Sequence, residues 1–301
     1  MKRISRREFV ALATVGAAAM PPSLYSGLAA EITAQEVVNR IRQKIGVEWK
    51  SETVDTFKGG DPATPVRGIV TTSMATMDVL KQSVKAGANL VITGEPTFFA
   101  KADAATPPAG RRGGPPAPPD PVFTAKNEFI RSNGLVIWRF SDHWRLRKPD
   151  PMAVGFAEAL GWSKLTVASD PALVTIPTVT LRSLVSDLKK KLNARGGIRV
   201  VGDPQLKVQK IGLLPGTTPI QAALKLLPGV DAVVAGEVRE WESVEYVRDK
   251  VSAGEKKSLI LVGRVVSEDP GMKLCAQWMK SVVPELATTW IPVGDPYWRP
   301  L

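Results

Sequence analysis

The sequence predicts an α/β protein with two similar lobes, each built on a mixed or parallel sheet flanked by helices. Strand patterns rich in β-branched residues alternate with amphipathic helical patterns, which is typical of parallel sheets with helical crossovers. A strand pattern at 67–73, a helix pattern at 75–87 and an apolar run at 90–92 form one such unit. An apolar run also ends in the dipeptide Gly-Glu in each half, at 94–95 and at 236–237.

The first half alternates helix and strand patterns in order. Thr33, with Glu36 three residues later, predicts a capping box for the first helix. Apolar residues at helical spacing predict helices at 31–50, 75–87, 122–134, 151–160 and 178–194. Strand patterns lie at 67–73, 90–92 and 135–140. Residues 51–66 are rich in turn formers, and Pro and Gly dominate an exposed loop at 102–121.

A second α/β stretch begins near residue 198. Strand patterns lie at 198–201, 208–214, 230–235 and 258–262. Helical patterns lie at 219–227, 240–252 and 271–281. Residues 215–218 predict a turn, and a polar stretch at 263–268 follows the last predicted strand. A tail rich in Trp and Pro ends the chain.

Length and composition limit the possible functions. The chain has 301 residues and a mass of 32.4 kDa, enough for about two domains. Its single cysteine, Cys275, excludes an intrachain disulfide and a zinc site made of cysteines, and its apolar surroundings favour a core position. The formal net charge is +11, but the basic residues are scattered, which favours a solvated basic surface over a specific nucleic-acid site.

Residues 1–30 have the pattern of a twin-arginine signal peptide. Ser5, Arg6, Arg7, Glu8 and Phe9 match the consensus, and a short apolar run and small residues follow. The apolar run is too short to span a membrane, so no transmembrane segment is expected once the signal is removed. The sequence therefore predicts export to the periplasm or out of the cell. The first lobe is expected at 31–195 and the second lobe, with the tail, at 196–301.

Polar side chains follow four of the predicted strands. They are Glu95, Asp142 with His143, Glu237 and Glu268. A single carboxylate at a strand end is more commonly a cap or an ion-pair partner, because strand ends are surface positions. Several carboxylates that converge with a histidine suggest instead a shared site for a divalent metal such as Zn, Mn or Fe.

Four short motifs resemble the Nif-three-like family, whose members are described as GTP cyclohydrolase I type 2 homologues or dinuclear metal-centre hexameric proteins. The motifs are Gly-Glu-Pro at 94–96, Phe-Ser-Asp-His at 140–143, Ala-Gly-Glu at 235–237 and Gly-Arg-Val-Val-Ser-Glu at 263–268. They occur in the family's order, and the resemblance covers about 31–290. It implies two similar lobes, a two-metal site between them and a homo-oligomer, a toroidal hexamer.

The motifs depart from the family pattern at the expected imidazole ligands. The family's first metal-binding His would stand at Gly94, and the His of the late motif is replaced by Arg264. Lys101 and Arg145 stand beside the motifs where exported relatives favour His. The resemblance leaves four metal ligands, if metal is bound, namely Glu95, Asp142, His143 and Glu268. The residues expected to line the site are Gly94, Lys101, Arg145, Glu237 and Arg264.

These replacements suggest that cations take the place of metal ions. Arg264, Arg145 and Lys101 would neutralise the carboxylates, which otherwise repel one another and take up protons. Alternatively, the cations point into solvent and the site has simply been lost. Divalent metal would then bind weakly or not at all, since a first-row dinuclear site normally needs imidazole as well as carboxylate.

Two functions from different classes follow. The first is a non-catalytic or weakly active exported protein that binds small anions or serves as a scaffold. The second is a metal-dependent hydrolase or cyclohydrolase that acts on a nucleotide-like or phosphorylated small molecule. The missing imidazoles favour the first function and the retained acidic groups favour the second, so the sequence leaves open whether the protein is an enzyme. A nucleic-acid partner would depend on net charge alone.

Overall fold

Two mixed sheets, of five and six strands, are flanked by helices. The computed structural model describes residues 31–99, 103, 120–194 and 197–298. The predicted signal peptide, Lys101 and most of the Pro/Gly-rich loop lie outside the described residues. The architecture confirms the predicted fold class. The described residues from Ile32 onward belong to one compact unit.

The first sheet has the order β1-β4-β3-β2-β11. Its strands are β1 (Phe57–Gly59), β2 (Ile69–Thr72), β3 (Leu90–Thr93), β4 (Val136–Arg139) and β11 (Thr288–Trp290). All neighbours are parallel except β1 with β4. Every residue of β2, β3 and β4 is buried, as expected for parallel strands covered on both faces.

The second sheet has the order β5-β6-β8-β9-β10-β7. Its strands are β5 (Thr166–Val167), β6 (Asp170–Thr180), β7 (Arg199–Val201), β8 (Lys207–Thr217), β9 (Ala232–Glu237) and β10 (Ser258–Leu261). Strands β8, β9 and β10 are parallel, whereas β5, β6 and β7 pair antiparallel with their neighbours.

Nine α-helices lie in the part of the chain that the structure describes. They are α1 (Ala34–Lys44), α2 (Met77–Lys85), α3 (Pro121–Ser132), α4 (Asp142–Leu146), α5 (Pro151–Ala159), α6 (Leu181–Leu192), α7 (Ile220–Leu226), α8 (Glu245–Ser252) and α9 (Arg264–Val282). A π-helical turn, Glu240–Val244, precedes α8. The hydroxyl of Thr33 accepts a hydrogen bond from the Glu36 amide, which confirms the first half of the predicted capping box, whereas the Glu36 carboxylate accepts a hydrogen bond from Arg40. No helix among the described residues is both long enough and apolar enough to cross a bilayer.

Helix α9 packs against strands of both sheets and against α5. Two glycines permit the close approach of α5 and α9. A Cβ atom at Gly155 would lie 2.6 Å from the carbonyl carbon of Pro270, and one at Gly271 would lie 2.4 Å from the sulfur of Met152. The long helix thereby brings its first turns, including Glu268, to the edge where the strands of both sheets end.

Several predicted boundaries were wrong. Helix α9 begins at Arg264 and includes Pro270, so Glu268 lies on a helix and not in a polar stretch after a strand. Residues 215–217 continue β8 instead of forming a turn. Asp142 begins helix α4. Strands β1, β5, β6 and β11 lie where the sequence showed no strand pattern. In each case tertiary packing outweighs a local signal. The clearest case is Pro270, because the sequence predicts a helix that begins after this proline, whereas α9 includes it.

Candidate functional site

The turn after β3 places Glu95 beside the end of β2. The amide of Gly94 donates to the Thr72 carbonyl, and the amide of Glu95 donates to the Ser73 carbonyl at 2.8 Å. These bonds extend the ladder between β2 and β3 by two residues and fix the direction in which the Glu95 side chain leaves the sheet. The carboxylate of Glu95 lies 3.8 Å from Nη2 of Arg145.

Glu268 is the buried acidic group at the centre of this region, with 1% of its side chain exposed. Its Oε1 accepts a hydrogen bond from Nη2 of Arg145 at 2.6 Å, and its Oε2 accepts one from Nη1 of Arg264 at 2.9 Å. A buried carboxylate needs such compensation, because the cost of removing its charge from water is several kcal/mol. Each oxygen of Glu268 therefore has one guanidinium partner.

The carboxyl group of Glu268 is under opposing electrostatic influences. Burial, followed by the negative charge of Glu95, raises the pKa of Glu268, and the positive charges of Arg145 and Arg264 oppose that rise. The net direction is upward because burial is the largest effect. Glu95 and Glu268 thus form a pair of neighbouring carboxylates whose repulsion is reduced by two arginines.

A bulge near the end of β8 makes room for Glu268. The pairing of β8 with β9 shifts between Leu214 and Thr217, and within the bulge Gly216 has a φ of +82°. A Cβ atom at Gly216 would lie 2.3 Å from Oε1 of Glu268, so only glycine fits here. The sequence predicts a turn at Pro215 and Gly216, whereas in the structure these residues form a bulge that faces the carboxylate of Glu268.

Asp142 lies apart from the Glu95–Glu268 pair in its contacts. Its Oδ2 accepts hydrogen bonds from the hydroxyl of Thr53 at 2.9 Å and from the amide of Val54 at 3.0 Å. Asp142 therefore holds the loop before β1 against the start of α4. Arg145, one turn further along the same helix, is the residue of this segment that reaches Glu268.

His143 is fully buried and both of its ring nitrogens have protein partners. The amide of Lys50 donates to Nε2 at 2.9 Å, so this nitrogen carries no proton, and Nδ1 donates to the carboxylate of Asp55 at 2.7 Å. The ring stacks on Trp49, with centroids 3.7 Å apart. Both ring nitrogens of His143, which the sequence predicts as a metal ligand, are therefore engaged by protein groups in this structure.

Asp55 organises this segment, although no sequence signal predicts a role for it. Its carboxylate accepts hydrogen bonds from the backbone amides of Ser141, Asp142 and His143, in addition to the imidazole. The amides belong to the first turn of α4, where a negative charge is favourable. Nothing in the turn-rich sequence around Asp55 distinguishes it from an ordinary loop aspartate.

Glu237 and Gly94 lie on either side of the Glu268 region. The Glu237 carboxylate, 56% exposed, lies 3.9 Å from Nε of Arg264 and accepts a long hydrogen bond of 3.4 Å from Thr217. Gly94 has no positive φ, and a Cβ there would make ordinary contact with the sulfur of Met272 at 3.4 Å. The backbone at Gly94 therefore does not require glycine. Lys101 lies outside the described residues.

Two pockets differ sharply in size. The one lined by Glu95, Arg145 and Glu268 holds about 10 Å³, the lower limit for a single water molecule. A second pocket of about 400 Å³ lies on the other side of Arg264. Its wall includes Arg199, Glu237, the first residues of α9 and the tail residue Tyr297. Of these two pockets, the one beside Arg264 reaches the size of a small-molecule site.

The donor groups of the described residues do not fit a dinuclear metal site. Both oxygens of Glu268 bond to arginines, both nitrogens of His143 are engaged, and Asp142 is bonded to the loop before β1. Within the described ranges, no group of three or more His, Cys, Asp or Glu side chains is arranged to hold a metal ion. A metal would have to displace an arginine from Glu268.

Comparisons with known proteins were made by sequence and by structure. No protein-family model matches the sequence, and no curated protein sequence matches it. Similar solved structures include the following three. A hypothetical protein of Staphylococcus aureus is 14% identical with a TM-score of 0.67, covering 89% of this chain and 99% of its own. A Bacillus cereus protein related to NIF3 is 13% identical with a TM-score of 0.65, covering 88% and 98%.

The third similar structure is protein ybgI, of unknown function. It is 20% identical with a TM-score of 0.61, covering 88% of this chain and all of its own. At such identities the likeness establishes the fold, and it extends over nearly the whole length of each relative. Together with the two mixed sheets, it confirms the resemblance inferred from the four motifs: the chain has the Nif3-like fold.

Proposed function

We propose that the protein is a metal-independent binding protein of Nif3-like fold, in which arginine ion pairs occupy the place of a dinuclear metal site. One observation carries the proposal: both oxygens of the buried Glu268 carboxylate bond to guanidinium groups, one from α4 and one from α9. The proposed role is to hold a small anion or to act as a scaffold, without metal-dependent catalysis.

Charge balance supports this proposal. Arg145 and Arg264 bring two positive charges to the two carboxylates of Glu95 and Glu268. A divalent cation would have to displace these guanidinium groups, whose charge-assisted hydrogen bonds reach a carboxylate with only 1% of its side chain exposed. The arginines therefore supply the compensation that a metal would otherwise supply.

The location of free space supports a binding role beside Arg264. The Glu95–Glu268 region has no room for a substrate, whereas the pocket of about 400 Å³ on the other side of Arg264 does. This pocket lies at the carboxyl ends of parallel strands β9 and β10, where ligands bind in many α/β proteins. A small anion held there would contact guanidinium groups without contacting Glu268.

Elemental analysis of the full chain, purified without chelator, tests the proposal. We expect substoichiometric Mn, Fe and Zn, and near-stoichiometric amounts of any of these metals would refute it. Calorimetric titration with Mn²⁺ adds a matched comparison. Arg264→Ala frees one oxygen of Glu268 and is expected to gain Mn²⁺ affinity, whereas Arg248→Ala, which removes an exposed pair with Glu245, should not.

A metal-dependent hydrolase or cyclohydrolase is the second candidate. The neighbouring carboxylates of Glu95 and Glu268, with the pKa of Glu268 raised, are of the kind that acid–base catalysis uses. The substrate would be a nucleotide-like or phosphorylated small molecule. Assays of nucleoside triphosphates and phosphomonoesters with added Mn²⁺ or Zn²⁺ distinguish the candidates, because turnover lost in Glu268→Gln would favour the hydrolase.

Export through the twin-arginine route is part of the proposal. It is supported by the consensus around Arg6 and Arg7 and by the short apolar run that follows. Fractionation of cells that express the full chain tests it. We expect mature protein outside the cytoplasm, and we expect the double substitution Arg6→Lys and Arg7→Lys to retain the precursor inside. Equal distribution of both forms would contradict export by this route.

We also propose a homo-oligomer, a hexamer by resemblance to the family. Sedimentation analysis of the mature chain measures its mass directly. A monomer across the accessible concentration range would contradict the proposal without affecting the assignment of fold.

A further inference from the structure

The pocket beside Arg264 is bounded by the ends of three strands of the second sheet. Strand β7 is an edge strand, and its Arg199 pairs with Leu261 near the end of β10. Two residues beyond Leu261, the amide of Gly263 donates to the Gly236 carbonyl at 3.1 Å, which joins the ends of β9 and β10. The side chains of Arg199, Glu237 and Arg264 are thereby brought to one pocket.

Arg199 is available to a ligand at low cost. Its present ion-pair partner is Glu240, and about two thirds of each side chain is exposed, 67% and 63%. An ion pair this exposed contributes little to stability, so a ligand carboxylate can take the place of Glu240. Arg264 differs, because its Nη1 is committed to Glu268 while its Nε faces Glu237 at 3.9 Å.

The charges that line the pocket favour a ligand with one negative charge. Two lining side chains are cationic, Arg199 and Arg264, and two are acidic, Glu237 and Asp295. A single carboxylate that replaces Glu240 at Arg199 preserves this balance. A polyphosphate would bring several negative charges close to Glu237 and Asp295, which repel them.

Aromatic and apolar groups form the rest of the wall. Tyr297, 66% exposed, lies on the pocket, and Leu261, Val262, Val265 and Pro296 complete its apolar part. An aromatic side chain left this exposed beside a ligand-sized pocket is available to stack on a flat ring. The ligand body should therefore be planar and apolar.

We propose that this pocket binds a small aromatic monocarboxylate, with its carboxylate on Arg199 and its ring against Tyr297. The proposal rests on the proposed function insofar as the pocket beside Arg264 is the ligand site. It adds the chemical class of the ligand and assigns specificity to two residues outside the four motifs, on the edge strand and on the tail.

Isothermal titration of the full chain with 4-hydroxybenzoate tests the ligand class, with glucuronate and pyrophosphate as comparison ligands. We expect binding of the aromatic acid and weaker or no binding of the other two. Arg199→Ala should weaken binding by about tenfold, the effect of losing one charge-assisted hydrogen bond. Tyr297→Ala should weaken binding of 4-hydroxybenzoate and leave glucuronate unaffected, whereas Tyr297→Phe should retain it.

Arg248→Ala, which removes an exposed pair elsewhere, is the matched control and should bind like the wild type. Circular dichroism confirms that each variant is folded. The inference is overturned if pyrophosphate or glucuronate binds more tightly, if 4-hydroxybenzoate does not bind, or if Arg199→Ala binds it as well as the wild type. Metal content is measured on the same preparations. A protein that contains no metal and does not bind the aromatic acid overturns the proposed ligand class but leaves the proposed metal independence in place.

Discussion

The same dipeptide, Gly-Glu, ends a buried strand in both sheets, but the two copies have different roles. Gly94 and Glu95 follow β3, where Glu95 is largely covered and lies beside Arg145. Gly236 and Glu237 end β9, where more than half of the Glu237 side chain is exposed to a ligand-sized pocket. One Glu is enclosed in an ion-pair network and the other borders open space.

The glycines of the two Gly-Glu pairs also differ in the space around them. A Cβ at Gly236 would lie 2.3 Å from the hydroxyl oxygen of Ser267 and 2.6 Å from the Gly216 carbonyl, so a side chain there cannot fit without movement. A Cβ at Gly94 meets its nearest neighbour, Met272, at an ordinary distance. The same Gly-Glu motif is therefore under different steric constraints in the two sheets, because the neighbouring atoms decide whether a side chain fits at the glycine.

The largest expected effect comes from removing the Asp55 carboxylate, which accepts hydrogen bonds from the first turn of α4. Asp55→Ala removes the acceptor for three backbone amides and for the buried His143, and it leaves α4, which carries Arg145, without its N-terminal partner. We expect the free energy of unfolding to fall by at least about 3 kcal/mol, because buried donors lose their acceptor. Chemical denaturation measures the change.

The matched control for that substitution is Asp61→Ala. Asp61 accepts a hydrogen bond from the Ala63 amide on the surface, so its removal should cost less than about 1 kcal/mol. Equal losses from both substitutions would mean that the buried network does not hold α4 in place.

The next largest effect distinguishes the two glycines directly. We expect Gly236→Ala to destabilise the protein by about 2 kcal/mol, since the added methyl group overlaps Ser267 and the Gly216 backbone. Gly94→Ala should change stability by less than about 1 kcal/mol in either direction, because the backbone conformation suits alanine and space exists. Thermal and urea unfolding of the two variants give both values. A larger loss from Gly94→Ala would reverse the comparison.

The smallest effect concerns pH. The pKa of Glu268 is raised above 4.5 in the folded protein, so the folded state binds the proton more tightly than the unfolded chain does. Stability attributable to this group is therefore highest at low pH and is lost as pH rises through the folded pKa. Burial raises this pKa to about 8, so relative to Glu268→Gln the wild type should lose about 1 kcal/mol for each pH unit between about pH 5 and pH 8.

Glu285→Gln provides a control of opposite sign. A hydrogen bond from Arg40 lowers the pKa of Glu285, so its contribution is present above the unfolded pKa and is lost as the solution becomes acidic. Denaturation curves collected across the pH range should show opposite trends for the two variants relative to wild type. Parallel trends would show that Glu268 stays ionised throughout.

Much of the fold could be predicted from local patterns. The apolar runs of β2, β3, β4, β9 and β10 and the N-cap of α1 are encoded in short stretches. The sequence also placed Glu95, Arg145, Glu268 and Arg264 in one region. It did not distinguish Asp142 and His143 from these residues, because adjacent positions on a short helix face different directions.

Local patterns predicted the charged residues that lie at the ends of β3 and β9, because continuous apolar runs mark these buried strands. Tertiary structure alone decided which of those charges meet. Helix α9 begins before Pro270, the bulge at Gly216 leaves space for a carboxylate, and Asp55 reaches α4 from a distant loop. These contacts join residues far apart in the chain, so no local pattern contains them.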